Sequence, residues 1–123
     1  MNTRNVLAAS AVHPSVRDKI DNYESELLAE VMQAVESNDV VVVGMAQNPV
    51  VKKARAALKQ RGINFTYLEY GSYLSAWRRR LVIKMWTGWP TFPMIFVKGT
   101  FIGGHADLER LAASGELDTL LSA

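Results

Sequence analysis

Apolar residues recur at Val16, Ile20, Tyr23, Leu27, Leu28, Val31, Met32 and Val35, at gaps of three and four. That period predicts one amphipathic helix over Ser15–Glu36, with Pro14 suited to its first turn and most acids on the opposite face. The stripe either packs on the fold's own sheet or serves as a dimer or partner face. Ser37-Asn38-Asp39 reads as a turn. Val40–Val43 is a β-branched run without polar alternation, which predicts a central strand covered on both faces.

Asn48-Pro49 then opens a second helix, since Asn is a strong N-cap and Pro fits the first helical position. Over Pro49–Arg61, Val50, Ala54, Ala57 and Leu58 are placed inward and Lys52, Lys53, Arg55 and Lys59 outward. Gly62 stops it, and Ile63–Glu69 is the next strand, completing a right-handed βαβ unit. After Gly71-Ser72, with Ser72 a candidate cap, a helix is expected over Tyr73–Trp86. Leu74, Trp77, Leu81 and Met85 form its stripe, with Trp77 assigned to the core. Pro90 and Pro93 push Trp89 and Phe92 to extended geometry. Met94–Val97, the turn Lys98-Gly99 and Thr100–Ile102 make a hairpin. Gly103-Gly104 ends it where a helix begins over His105–Ala113, and Glu116–Leu121 is a last short helix.

Residues 1–13 carry no period and read as a flexible tail. Val6–Val12 after Arg4 is faintly like a secretory signal, at the short limit for one. Residues 14–123 are expected to form a single domain, with the N-terminal helix at 14–37 and the core at 39–121. At 123 residues, with 49% apolar and 21% charged composition, the chain can bury a real core. No apolar run reaches bilayer-spanning length, and a cytoplasmic location is expected. The net charge of +2 is unevenly spread. Pro14–Asp39 holds seven acids and two bases, whereas Lys52–Lys84 holds nine bases and one acid, Glu69. Such asymmetry suits an acidic partner, or two parts of the chain lying against each other.

There is no cysteine, which excludes disulfides, thiolate metal sites and cysteine nucleophiles. His13 and His105 are far apart, so no metal site is expected. The double glycine before a helix is a place where a ligand, an anion above all, can approach backbone N–H groups. A plain hairpin-to-helix turn accounts for the same residues.

The run Trp89-Pro90-Thr91-Phe92-Pro93 through Gly103-Gly104 resembles the second half of a glutaredoxin, most closely the monothiol branch. The likeness extends from about Val40 to the C-terminus. It implies an α/β, thioredoxin-like fold: a four-stranded mixed sheet flanked by helices, here with an extra N-terminal helix. Val40–Val43 and Phe65–Glu69 would be parallel, the hairpin strands antiparallel to them, and Phe92–Pro93 cis. The same resemblance sets Asn48 at the nucleophilic cysteine, Val51 at the resolving one, and Pro49 on the family proline.

Asn cannot supply a thiolate and Val51 has no polar atom, so thiol–disulfide exchange is expected to be absent. A glutathione-ligated iron–sulfur cluster would lack its protein ligand, and no cofactor is expected. In the groove implied by the family, Met45 stands where a Lys holds a glutathione carboxylate. Phe92, before Pro93, retains its backbone pairing. Gly104, His105 and Asp107 are left for the γ-glutamyl end, while Ala106 has lost its side-chain group. Losing one charged contact and one hydrogen bond costs on the order of 2–4 kcal/mol, so glutathione is expected to bind weakly or not at all.

The leading expectation is a redox-inactive binding or regulatory module, although family membership alone would assign redox homeostasis. Its surface would be Met45, Asn48, Val50, Phe92, Pro93 and His105, less charged than the family's and suited to a protein or peptide partner. The resemblance makes a BolA-like protein one candidate, and a homodimer is another. A second expectation is non-thiol catalysis on a retained glutathione or anion site, with Asn48 as an oxyanion donor and His105 as base. A third is nucleic-acid binding through Arg78-Arg79-Arg80 with Trp77 and Tyr73; the arginines point three ways on a helix, which weakens it.

Overall fold

The valine run Val40–Val43 sits at the centre of a sheet and faces two cores at once. In a computed structural model, which describes residues 3–123, strand β1 (Val40–Gly44) has every residue buried. Val41 and Val43 pack in one apolar cluster, and Val40 and Val42 in the other. That is the alternation of a strand covered on both sides.

β1 pairs in parallel with β2 (Thr66–Glu69) and antiparallel with β3 (Met94–Val97). β3 pairs antiparallel with β4 (Thr100–Gly103), giving the order β2-β1-β3-β4. Lys98 and Gly99 both have positive φ, 51° and 78°, the two-residue turn that matches strand twist. One face carries α2 (Ser25–Ser37) and α4 (Trp77–Thr87), through Leu27, Val31, Val82 and Ile83. The other carries α3 (Pro49–Gln60), α5 (His105–Ser114) and α6 (Glu116–Leu121), through Ala54, Leu58, Leu108 and Leu117. Each fully buried Leu, Ile or Val in these layers contributes about 1.5–3 kcal/mol. The four-stranded mixed sheet, the flanking helices and the cis Phe92–Pro93 peptide are as expected.

The N-terminal helical extension is present, but it is not one helix. It is broken into α1 (Pro14–Asp21) and α2. Asn22 closes α1, its side-chain Nδ2 and its backbone N–H both donating to the Asp18 carbonyl at 2.9 and 3.0 Å. Glu24 then turns left-handed at φ 47°. Val16 and Ile20 stay exposed and α1 buries no residue, so the first half of the apolar stripe makes no core. Met1 and Asn2 of the expected tail lie outside the described residues, and Ala9–Ala11 forms a turn of 3-10 helix.

α4 also departs from expectation. It starts at Trp77 instead of Tyr73, because Ser72 and Ser75 close a tight turn and Ala76 is left-handed at φ 59°. The Ser72 hydroxyl accepts from Leu74 N–H within that turn and caps no helix. The inward face of α4 is Arg80, Val82 and Ile83. The stripe of Leu74, Trp77, Leu81 and Met85 points to solvent, with Leu74 98% and Trp77 59% exposed.

α2 supplies one anchor to the sheet besides apolar contact. The Tyr70 hydroxyl donates to Glu30 Oε1 at 2.8 Å, and burial with that carboxylate holds the phenol neutral. Among the described residues no ion pair joins the acids of α1 and α2 to the bases of α4.

Candidate functional site

Three chain segments meet at one end of the sheet. The register Val43↔Met94 sets the loop after β1 beside the cis peptide before β3. The register Ile95↔Gly103 brings the end of β4 to the same place. A Cβ built on Gly104 would lie 3.5 Å from the Pro93 carbonyl oxygen and 4.0 Å from Trp89 Nε1. The loop at 45–48, Phe92–Pro93 and Gly104–Asp107 therefore border one groove.

Asn48 is the N-cap of α3. Its Oδ1 accepts from the Val50 and Val51 amides at 2.9 and 3.0 Å. Those are donors that a helix start otherwise offers to an anion, and here the side chain of the same turn takes them. Val51 is 1% exposed and packs in the core, where it meets the space above Gly44. Val50, placed inward by the period, is instead 41% exposed at the groove. The apolar face of α3 thus begins one residue later than the sequence pattern suggests.

The start of α5 is occupied in the same manner. Gly104 N–H donates to Asp107 Oδ2 at 2.9 Å, and Arg110 donates to the other carboxylate oxygen. Those two donors, the Gly104 amide first, hold the Asp107 carboxyl below the usual carboxylate range. Gly103 has φ 102°, and a Cβ there would strike the Asp107 carboxylate at 2.4 Å, so glycine is required for the clamp to close. A depressed carboxylate stabilises the fold fully above its unfolded pKa and loses that contribution as pH falls through the folded one. Asp107→Asn is thus expected to flatten the acid limb of a urea-midpoint profile taken from about pH 5 to about pH 2. An unchanged acid limb would assign that limb to other carboxylates.

His105 stands at the groove edge with Nε2 3.6 Å from Glu109 Oε1, one turn along α5. Met45, expected on the surface, is 6% exposed and belongs to the core cluster with Val41 and Val43. The position has lost its charge, but its thioether adds little to the outer face. Phe92 and Pro93 are buried as well, so the apolar surface expected of this face is carried mainly by Val50.

The sequence reading missed a cation here. Lys84 Nζ lies 5.7 Å from the Phe92 ring centroid. No local pattern pairs the two residues, because the contact depends on how α4 lies against the segment before β3. Behind the groove Trp86, Phe96, Phe101 and Trp89 form a row of ring contacts at 5.7, 5.2 and 5.4 Å. The buried Trp89 Nε1 has no acceptor among the described residues.

The arrangement offers binding groups and no nucleophile of thiol type. With no cysteine in the chain, glutaredoxin-type thiol chemistry is absent. Of the three consecutive arginines only Arg78 and Arg79 reach solvent, since Arg80 is 7% exposed. Among the described residues no cluster of metal-ligating side chains occurs, and no helix is long and apolar enough to cross a membrane.

The glutaredoxin family model matches residues 40–102, which include β1, α3, the cis peptide and all but the last residue of the hairpin. A glutaredoxin-like protein of Dictyostelium discoideum is 48% identical over 103 residues, covering 84% of each chain. A probable monothiol glutaredoxin of Legionella pneumophila, GrlA, is 32% identical over 69 residues, covering 56% of this chain and 74% of that one. The crystal structure of oxidized glutaredoxin 2 from Chlamydomonas reinhardtii superposes with a TM-score of 0.70 at 30% identity, covering 80% of this chain and 94% of that one. Fold, cis peptide, sequence and relatives agree: the chain belongs to the glutaredoxin family, as a member without the cysteines on which the family's thiol chemistry rests.

Proposed function

We propose that this protein is a binding or regulatory module that uses the former active-site groove to hold an extended segment of a partner protein. The observation that carries the reading is the division at the groove. Part of the recognition geometry is kept: the cis Phe92–Pro93 peptide and the Gly103-Gly104 turn. The reacting position is given to Asn48, whose oxygen is turned inward onto two amides. A groove of this kind pairs with backbone and exchanges no electrons. Val50 and Lys84 are the side chains placed to select a partner, one apolar and one cationic. A BolA-like protein is the candidate that family resemblance suggests.

Glutathione is expected to bind weakly. Its thiol has no partner here, the Met45 position has no charge, and the amides of Val50, Val51 and Gly104 are already engaged. An amide NMR titration with reduced glutathione is expected to show no saturation at Phe92, Gly104, His105 and Asp107 below several millimolar, about −3 to −4 kcal/mol at most. A low-micromolar dissociation constant would return the groove to glutathione-dependent chemistry. The same spectra, taken with a purified BolA-like protein, are expected to move the amides of residues 45–48, Val50, Thr91 and Phe92. Shifts confined to other faces would overturn the groove as the binding surface.

A further inference from the structure

Along α3, away from the groove, two cations border one hollow. α3 carries Lys52, Lys53, Arg55 and Lys59 and no acid. Arg55 and Lys59 are one turn apart, so they share a helical face. Both line a hollow of about 480 Å³, whose other walls include Ile63, Asn64, Phe65 and Tyr67 from the segment that leads into β2.

Arg55 is held there by an aromatic ring and by no carboxylate. Its Cζ lies 3.9 Å from the Tyr67 ring centroid, which sets the cation on the face of the ring. The side chain is half-buried, and its buried Nε has no acceptor among the described residues. A guanidinium donor left without an acceptor is uncommon in a native fold. Among the described residues no ion pair joins Arg55 or Lys59 to an acid. The carboxylate of Glu69 is engaged by the Tyr67 hydroxyl, which donates to it at 2.9 Å. Burial, and then that carboxylate, push the phenol up to about 12, so Tyr67 gives the hollow a ring and no charge.

The walls therefore combine a forked cation, a point cation and an amide with the apolar sides of Ile63 and Phe65. The Arg fork suits the paired oxygens of a phosphate, and the Lys ammonium balances its second charge. A single carboxylate would leave one of the two cations unbalanced. The apolar walls match an organic group attached to the anion. We propose that this hollow binds a phosphate monoester, with the dianionic head on Arg55, Lys59 and Asn64 and the organic part against Ile63 and Phe65. Arg55 stands about 10 Å along the α3 axis from Asn48, so the site is separate from the groove and stands whatever the groove binds.

An amide NMR titration of the full chain with phenyl phosphate tests it, at about pH 7.5, where the ester is a dianion. Saturable shifts are expected at Arg55, Lys59 and residues 62–65, with a dissociation constant of about 1 mM or below at low ionic strength. Inorganic phosphate lacks the organic part and benzoate lacks the second charge, and each is expected to bind at least about fivefold more weakly. Lys59→Ala changes an exposed residue and Arg55→Lys keeps the charge, so both variants are expected to fold as the wild type does. Each is expected to weaken phenyl phosphate binding at least about fivefold. The absence of saturation up to about 20 mM overturns the proposal. Saturation confined to residues 45–50 and 104–107 also overturns it and assigns the anion to the groove. Benzoate binding as tightly as phenyl phosphate overturns the phosphate, and an affinity that both variants leave unchanged overturns the site.

Discussion

Asn48→Cys is expected to convert an inert chain into one with a single activated thiol. The warrant is the geometry at the start of α3, where the Val50 and Val51 amides converge on the side chain of residue 48 at 2.9 and 3.0 Å. A sulfur at that position inherits both donors and the positive end of the helix dipole. Those terms favour the thiolate and lower the pKa from about 8.5 to about 7 or below. The chain has no other cysteine, so the signal in an alkylation assay has one source. The rate of iodoacetamide labelling against pH is expected to turn at about 7, and the wild-type protein is expected to give none. Val51→Cys is the control. Its side chain is in the core, so labelling of the folded protein is expected to be slower by at least about 100-fold. A midpoint at or above the free-thiol value for Asn48→Cys would mean that the helix start does not activate this position. The variant thiolate can attack a disulfide and form a mixed disulfide. With no second thiol in the chain to resolve it, turnover would depend on an external thiol.

Arg80→Ala is expected to cost about 3 kcal/mol of stability and to lower the melting temperature by roughly 10 °C. Arg80 is the buried charged residue of the core layer, and no carboxylate pairs with it among the described residues. Its Nη1 donates to the carbonyls of Tyr70 at 3.1 Å and Ser75 at 2.6 Å, tying the turn before α4 to the end of β2. Removing it leaves those carbonyls without that donor and opens space beneath Gly71, whose missing Cβ would lie 3.1 Å from Nη1. Desolvation argues the other way, since a buried guanidinium is itself costly. Arg80→Met separates the two effects: it keeps the apolar stem and discards the charge. Arg80→Met is expected to be less damaging than Arg80→Ala and still less stable than wild type. Urea unfolding of both variants reads the order, and an Arg80→Ala loss under about 1 kcal/mol would show that the turn holds without its clamp.

These residues also show what the chain declares in advance. The Val40–Val43 run, the Asn48-Pro49 helix start and the Lys98-Gly99 turn are local codes, and each appears where its chemistry puts it. The exchange of thiol for Asn and Val was equally legible, because composition alone excludes cysteine. The stripe of α4 was not. A 3.6-residue period identifies an apolar face and is silent on what covers it. The sheet is instead covered by Val82 and Ile83, with the stem of Arg80 beside them, a residue that hydropathy assigns to solvent. The break between α1 and α2 was hidden for a related reason. The spacing runs unchanged through Tyr23, while the left-handed Glu24 separates α1, which buries nothing, from α2, which packs on the sheet. At the groove, Met45 lies inside although it was expected outside, and Val51, not Val50, is the first apolar residue of α3 to enter the core, although the helix starts at Pro49 as expected.

The inward turn of Asn48 bears on how such a protein arises. Reactive positions are commonly maintained against the stability of the fold that carries them. An asparagine cap is worth about 1 kcal/mol over a residue that cannot cap. An asparagine at this helix start satisfies two amides that a residue unable to cap leaves open, so a glutaredoxin scaffold with Asn48 in place of a thiol bears no structural penalty there, and a change away from it costs cap stability.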